Sequence, residues 1–194
     1  PLQRLETIRP VKGLTRRSLK GFTLLEVLVV IAIIGILATI GVGGMQTLIA
    51  NSTVKGQVLS VSAFFDQASA HARAQNTLIG FSMNVVGDAI VFHPDSTCAA
   101  AGDTLKLDSR TTIVSAAPAG LPTQFTSITN WGTGTCIRFK PMQRIGMNPL
   151  ADSGYIHIKS ISVDAAHGLV GKVSNENRAL TFVSKDGGTG WESQ

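Results

Sequence analysis

Charge is scarce in this chain. Of its 194 residues, 15% are Asp, Glu, Lys or Arg, well below the quarter typical of globular domains, which excludes a disordered or polyelectrolyte chain. Cysteine is scarcer. Two residues, Cys98 and Cys136, are too few for a disulfide-dense miniprotein or for a four-cysteine zinc or iron–sulfur site. No Gly-x-Ser-x-Gly, P-loop or dinucleotide fingerprint occurs, and His71, His93, His157 and His167 lack metal-ligand spacing. Asp186-Gly187-Gly188 reads as a turn with too few neighbouring carboxylates for a calcium loop. No catalytic residue, metal site or cofactor is expected, and the chain does not read as an enzyme.

What is present is unevenly placed. The length suits one domain plus an appendage, and the mean hydropathy of +0.24 signals apolar sequence outside an ordinary core. The net charge of +5 belongs to the first 21 residues, where Arg4, Arg9, Lys12, Arg16, Arg17 and Lys20 face only Glu6. The rest of the chain is neutral, which removes the main support for a chain-wide polyanion-binding surface. From Phe22 to Met45 the one ionisable side chain is Glu26. As a helix this run spans roughly 36 Å, enough to cross a hydrocarbon core of about 30 Å. The basic flank before it, with no Lys or Arg after it until Lys55, predicts a cytoplasmic N-terminus and a head beyond the inner membrane. The run is too long for an ordinary cleaved secretory signal and has no A-x-A-like end. On hydropathy alone, an uncleaved signal anchor fits equally well.

The junction Lys20-Gly21-Phe22-Thr23-Leu24-Leu25-Glu26 resembles the leader junction of type IV pilins and type II secretion pseudopilins. In that class a basic leader ends in Gly, and Phe-Thr-Leu-x-Glu opens an apolar helix. The resemblance implies that prepilin peptidase cuts between Gly21 and Phe22 and that Phe22 is then N-methylated. Residues 1–21 would be the leader and 22–45 the transmembrane and filament-core helix. A second stretch, Phe64 to Asn76 with Leu78-Ile79-Gly80-Phe81, is similar to the GspH/FimT family of minor pilins, as more loosely is Phe139-Lys140-Pro141-Met142-Gln143-Arg144. The implied partners are prepilin peptidase, other minor and major pilins or pseudopilins, the inner-membrane assembly platform and the lipid bilayer. The implied location is the inner membrane with a periplasmic head, and the pilus or pseudopilus after assembly.

The chemistry of the junction gives those roles a reason. A carboxylate just inside an apolar span is costly unless it is paired or reaches water, and Glu26 alone reads as a snorkelling interfacial acid. Cleavage after Gly21 creates a largely cationic α-amine four residues away. On neighbouring subunits that amine and Glu26 could relieve each other's desolvation. Gly35, Thr39 and Gly43 recur every four residues, the small-residue spacing that lets apolar helices approach. Gly41, Gly43 and Gly44 each lower helix propensity and predict a local unwinding.

Val54, Val58, Val61, Phe65, Ala68 and Ala72 form one apolar stripe, so 46–76 is expected to be an amphipathic helix packed on a sheet. From residue 77 to 184 the pattern becomes short β-like runs: Leu78–Met83, Ala89–Phe92, Thr111–Val114, Cys136–Phe139, Tyr155–Val163, Leu169–Val173 and Ala179–Val183. Val86-Gly87-Asp88 and Ala166-His167-Gly168 read as hairpin turns, 94–103 and 116–134 as long loops, and 185–194 as a mobile Gly-rich tail. The fold class expected is α+β, a long N-terminal helix packed on a β-rich head with antiparallel sheets. In an oxidising periplasm Cys98 and Cys136 would form a disulfide, with free thiols the alternative. The function expected is a minor pilin or pseudopilin of a tip or priming complex. The alternative is a FimT-like DNA-binding minor pilin, for which Arg138, Lys140 and Arg144 form the nearest basic group.

Overall fold

The computed structural model describes residues 21–75, 79–84, 88–95, 97–132, 134, 136–139, 153–173 and 179–194. The chain divides into two units, residues 1–40 and 41–194. Its one helix among the described residues, α1, spans Leu24–Gln75. It runs through Gly41, Gly43 and Gly44 without the unwinding expected there. Three glycines cost up to about 1 kcal/mol each, which a long cooperative helix absorbs.

The strands are β1 (Ile79–Asn84), β2 (Ala89–His93), β3 (Asp103–Lys106), β4 (Thr111–Val114), β5 (Thr129–Asn130), β6 (Cys136–Phe139), β7 (Gly154–Ser160), β8 (His167–Lys172), β9 (Leu180–Ser184) and β10 (Glu192–Ser193). They form two sheets, one ordered β3-β2-β1-β6 and the other β10-β9-β8-β7-β4 with β5 on β7. Among the described residues every pairing is antiparallel except the parallel β5–β7 pair. The α+β architecture is thus the expected one.

The apolar stripe explains the helix–sheet packing. Ala50, Val54, Val58, Val61, Phe65, Ala68 and Ala72 are all buried in one core with Ile90, Ile113, Trp131, Ile137, Phe139, Ile156, Ile158, Val170 and Val183. Phe65 sits edge-on to Trp131 with ring centroids 5.9 Å apart. Strand alternation sends the intervening residues to the opposite face. There Tyr155, Leu169 and Phe182 pack with Phe125 in a second cluster. Phe125 stacks on Tyr155 at 5.5 Å. The six-stranded sheet is therefore buried on both faces.

Several local expectations differ. Ala166-His167-Gly168 is not a hairpin turn. The chain reverses over 161–166, where Ser160 N–H donates to Ala166 O at 3.0 Å and Ala166 N–H to Val163 O at 3.2 Å, and His167 already belongs to β8. Gly168 serves close approach instead, since a Cβ there would collide with Val58 and lie 2.9 Å from Val54 Cγ1. Within the 116–134 segment, a 3-10 turn over Thr123–Phe125 delivers Phe125 to the second cluster. Residues 185–194, expected to be mobile, are tied down. Asp186 accepts from Gly190 N–H at 2.8 Å, Trp191 packs on the second cluster, and β10 pairs with β9. The glycines there turn the chain, with φ of +78° at Gly187 and +87° at Gly188. Of the other expected turn, Val86 and Gly87 lie outside the described residues.

Candidate processing and assembly site

The start of α1 is set by Thr23. Its Oγ1 accepts from Glu26 N–H at 3.2 Å, and its carbonyl accepts from Glu26 N–H at 3.1 Å and Val27 N–H at 3.3 Å. Thr23 is thus the N-cap and Glu26 the third helical residue, the Thr-x-x-Glu arrangement of a capping box. A carboxylate in the first turn also faces the positive end of the helix dipole. Glu26 therefore serves the helix start locally while remaining exposed.

Gly21, Phe22 and Thr23 precede the helix and are not helical. Phe22 is 80% exposed, and a Cβ at Gly21 would meet nothing within 4 Å. The Gly21–Phe22 bond is thus a non-helical, accessible peptide immediately before a capped helix, a geometry a protease can engage. Beyond it, the large apolar side chains from Leu24 to Ile49 with described surroundings are exposed on every side of the helix. The segment is long and apolar enough to cross a membrane.

Gly35 and Gly43 are open, and a Cβ added at either would meet nothing within 4 Å. Thr39 turns its hydroxyl inward and donates to Ile36 O at 2.7 Å. That removes the polar cost of a threonine in an apolar surround.

In the head, Cys98 and Cys136 form a disulfide with Cα atoms 5.9 Å apart. The loop that presents Cys98 is organised by Asp95. Its carboxylate accepts from the backbone N–H groups of Thr97 and Ala99 at 3.2 Å and Ala100 at 3.3 Å, and from the Thr97 hydroxyl. The Thr97 hydroxyl, with those amides, holds the Asp95 carboxyl down to about 2. This hub bears no sequence signature beyond an Asp ahead of a small-residue loop, and sequence reasoning does not find it.

The basic group named for DNA is not assembled by the described residues. Arg138 is exposed on β6, whereas Lys140 and Arg144 lie outside them. No cluster of three or more His, Cys, Asp or Glu side chains able to hold a metal occurs among the described residues. Two histidines that look isolated in the sequence, His157 and His167, meet at 2.8 Å. The signal available is alternation, since Tyr155, His157 and Lys159 share one face of β7.

Residues 16–42 match a family model described as the prokaryotic N-terminal methylation motif. No curated protein and no solved structure matches the chain. The match covers the junction, the cap and the apolar helix start, and so this chain carries the N-terminal methylation motif of the type IV pilin-like class.

Proposed function

We propose that this protein is a minor pilin or minor pseudopilin of GspH/FimT type, a structural subunit rather than an enzyme. Prepilin peptidase cleaves it between Gly21 and Phe22, Phe22 is N-methylated, and the subunit enters the tip or priming complex of a type IV pilus or a type II secretion pseudopilus. The carrying observation is the exposed, non-helical Gly21–Phe22 junction directly ahead of the Thr23 cap, inside the matched methylation motif. The buried helix stripe supports the reading further: one continuous helix supplies both the apolar anchor and the spine of the head.

Within this reading cleavage and assembly are linked by charge. Before cleavage residue 22 carries an amide. Afterwards it carries an ammonium that can pair with Glu26 of a neighbouring subunit where water is excluded. Gly35, Thr39 and Gly43 supply the shallow helix face for close packing. The head lies in the periplasm, consistent with the disulfide. Co-expression with an active prepilin peptidase, followed by intact-mass and N-terminal analysis, tests the core claim. The expected product begins at Phe22 with one added methyl group. A product still carrying residues 1–21 refutes it.

A further inference from the structure

His157 on β7 and His167 on β8 are both buried on the face of the six-stranded sheet opposite α1. Their rings stack with centroids 5.0 Å apart, and His157 Nε2 lies 2.8 Å from His167 Nδ1. The other two ring nitrogens are committed. His157 Nδ1 is 2.9 Å from the carbonyl oxygen of Ala116, and His167 Nε2 is 2.6 Å from that of Asp164. A carbonyl oxygen only accepts, so both of these nitrogens carry protons. If both rings were neutral, the facing nitrogens would then present two lone pairs to each other. If both rings were imidazolium, two N–H groups would collide. The arrangement satisfies all its hydrogen bonds only with one proton between the rings.

We propose that His157 and His167 form a one-proton latch, in which the folded pair holds a single shared proton and a second proton, taken up on acidification, breaks the His–His bond. The latch joins three parts of the head. Ala116 begins the segment that delivers Phe125, and Asp164 belongs to the β7–β8 turn. His167 also lies beneath Gly188, where a Cβ would be 3.5 Å from its Nδ1. The segments over the latch are bonded together, because Gly120 N–H donates to Gly188 O at 3.0 Å and Trp191 Nε1–H donates to Gly188 O at 3.1 Å. Losing the latch loosens the cover of the Phe125–Tyr155–Phe182 cluster.

Burial favours one proton over two, and the charged groups around the pair are largely paired with one another. On β7, the Lys159 ammonium pairs with the Asp164 carboxylate from the turn. From the loop after β9, Asp186 is held by Ser184 and Gly190, while Lys185 and Glu192 pair with each other at 3.6 Å. The facing β4 residues, Thr112 and Val114, and the segment 116–121 contribute no ionisable group. Burial, reinforced by the positive His167 and Lys159 and partly offset by the Ala116 hydrogen bond, lowers the proton affinity of His157. The sign follows by linkage. Unfolded, each ring takes a proton near pH 6.5. Folded, the pair takes one. Above about pH 6.5 the folded pair therefore binds more protons than the unfolded chain, and acid stabilises it. Below about pH 6.5 the unfolded chain binds up to one proton more, and the folding constant falls with acid, approaching tenfold per pH unit, until the folded pair yields.

The test uses the full chain in detergent micelles and does not depend on the processing reading. Unfolding titrations between about pH 7.5 and 5 compare the native chain with the double variant His157→Gln/His167→Gln. Relative to the variant, the native chain should gain stability as pH falls from about 7.5 to 6.5 and lose it below about 6.5, the loss approaching tenfold per pH unit. Parallel profiles overturn the latch. Because the variant could fail to fold, imidazole nitrogen NMR of the native chain gives an independent reading at about pH 6. Three protonated nitrogens on the pair support the latch, and two or four in the folded protein overturn it.

Discussion

The close approach of β8 to α1 at Gly168 gives the sharpest test of how the head is packed. Gly168 of β8 faces Val54 and Val58 of α1, and a methyl group at position 168 would overlap Val58 and stand 2.9 Å from Val54 Cγ1. Both valines are fully buried, so neither can swing into solvent. Gly168→Ala should incur an overpacking cost of about 1–3 kcal/mol, reduced by the roughly 0.4–1 kcal/mol gained from a less flexible unfolded chain. The net loss expected is about 1–2 kcal/mol. Val58→Ala removes two buried carbons, worth about 1.6 kcal/mol of transfer at roughly 0.8 kcal/mol each. It also leaves a cavity, for a net loss of about 2 kcal/mol after the better helix propensity of Ala. The decisive quantity is the double variant. Its new methyl group at position 168 would occupy the space vacated at position 58, so Gly168→Ala/Val58→Ala should be about 1–2 kcal/mol more stable than the sum of the single losses predicts. Urea unfolding of the full chain in micelles, followed by tryptophan fluorescence, measures all four corners of the cycle. Losses that add to within about 0.5 kcal/mol would refute the idea that glycine is required at 168 by the helix.

Three further outcomes are expected. Glu26→Ala should leave membrane insertion and cleavage intact while reducing incorporation into filaments; wild-type amounts of the variant in sheared filaments would remove Glu26 from assembly. Replacing both cysteines by serine should cost about 4 kcal/mol in the chain-entropy picture, read from the urea midpoint; an unchanged midpoint would show that the bridge does not stabilise the head. The Asp95 hub should add its own acid sensitivity to the loop. Its carboxyl falls from 3.8 to about 2 on folding, so its contribution is present above about pH 4 and is lost as pH falls towards 2. Amide exchange in the 97–100 loop of Asp95→Asn, unchanged across that window relative to the native chain, would count against the hub.

The parts of the molecule that follow a single period are legible in its sequence. The 3.6-residue stripe from Val54 to Ala72 is the buried face of α1, and Thr111–Val114 and Cys136–Phe139 are strands with the bounds their β-branched and apolar residues suggest. What fails to show has its order from partners far along the chain. Asp103–Lys106 is a largely exposed edge strand whose polar residues carry no alternation, and it exists because β2 offers it a partner. Thr129–Asn130 forms only where β7 provides a free edge. Glycine misleads in both directions. At 168 it suggests a turn, because a sequence does not reveal that Val58 lies across from it. At 187–190 it suggests mobility, because the Asp186 carboxylate that gathers the turn is one ordinary acid among many. The histidine pair is hidden for a similar reason. Each ring alone is an unremarkable strand residue, and only the β7–β8 register, with Lys159 opposite His167, sets the two side by side.

Ala50 marks a change of partner within one helix. From that residue onward every third or fourth side chain of α1 is buried against the head's own sheets. Before it, apolar side chains point outward on all sides, and sixteen large ones among the described residues from Phe22 to Ile49 are exposed. At about 1.5–3 kcal/mol for each such side chain fully moved out of water, their joint exposure costs on the order of 20 kcal/mol. This is more than the roughly 5–15 kcal/mol by which a folded domain is usually stable. The six-stranded sheet of the head is already covered on both faces, and under the proposed function the cover comes from lipid or from other apolar helices. Both environments exclude water, and both penalise Glu26 unless it can reach a polar partner. In lipid the acid can snorkel towards the interface. Among packed helices that escape is closed, and a cation must come to the carboxylate instead. Under the proposed processing, a cut at the exposed Gly21–Phe22 bond would generate such a cation within about one turn of the acid.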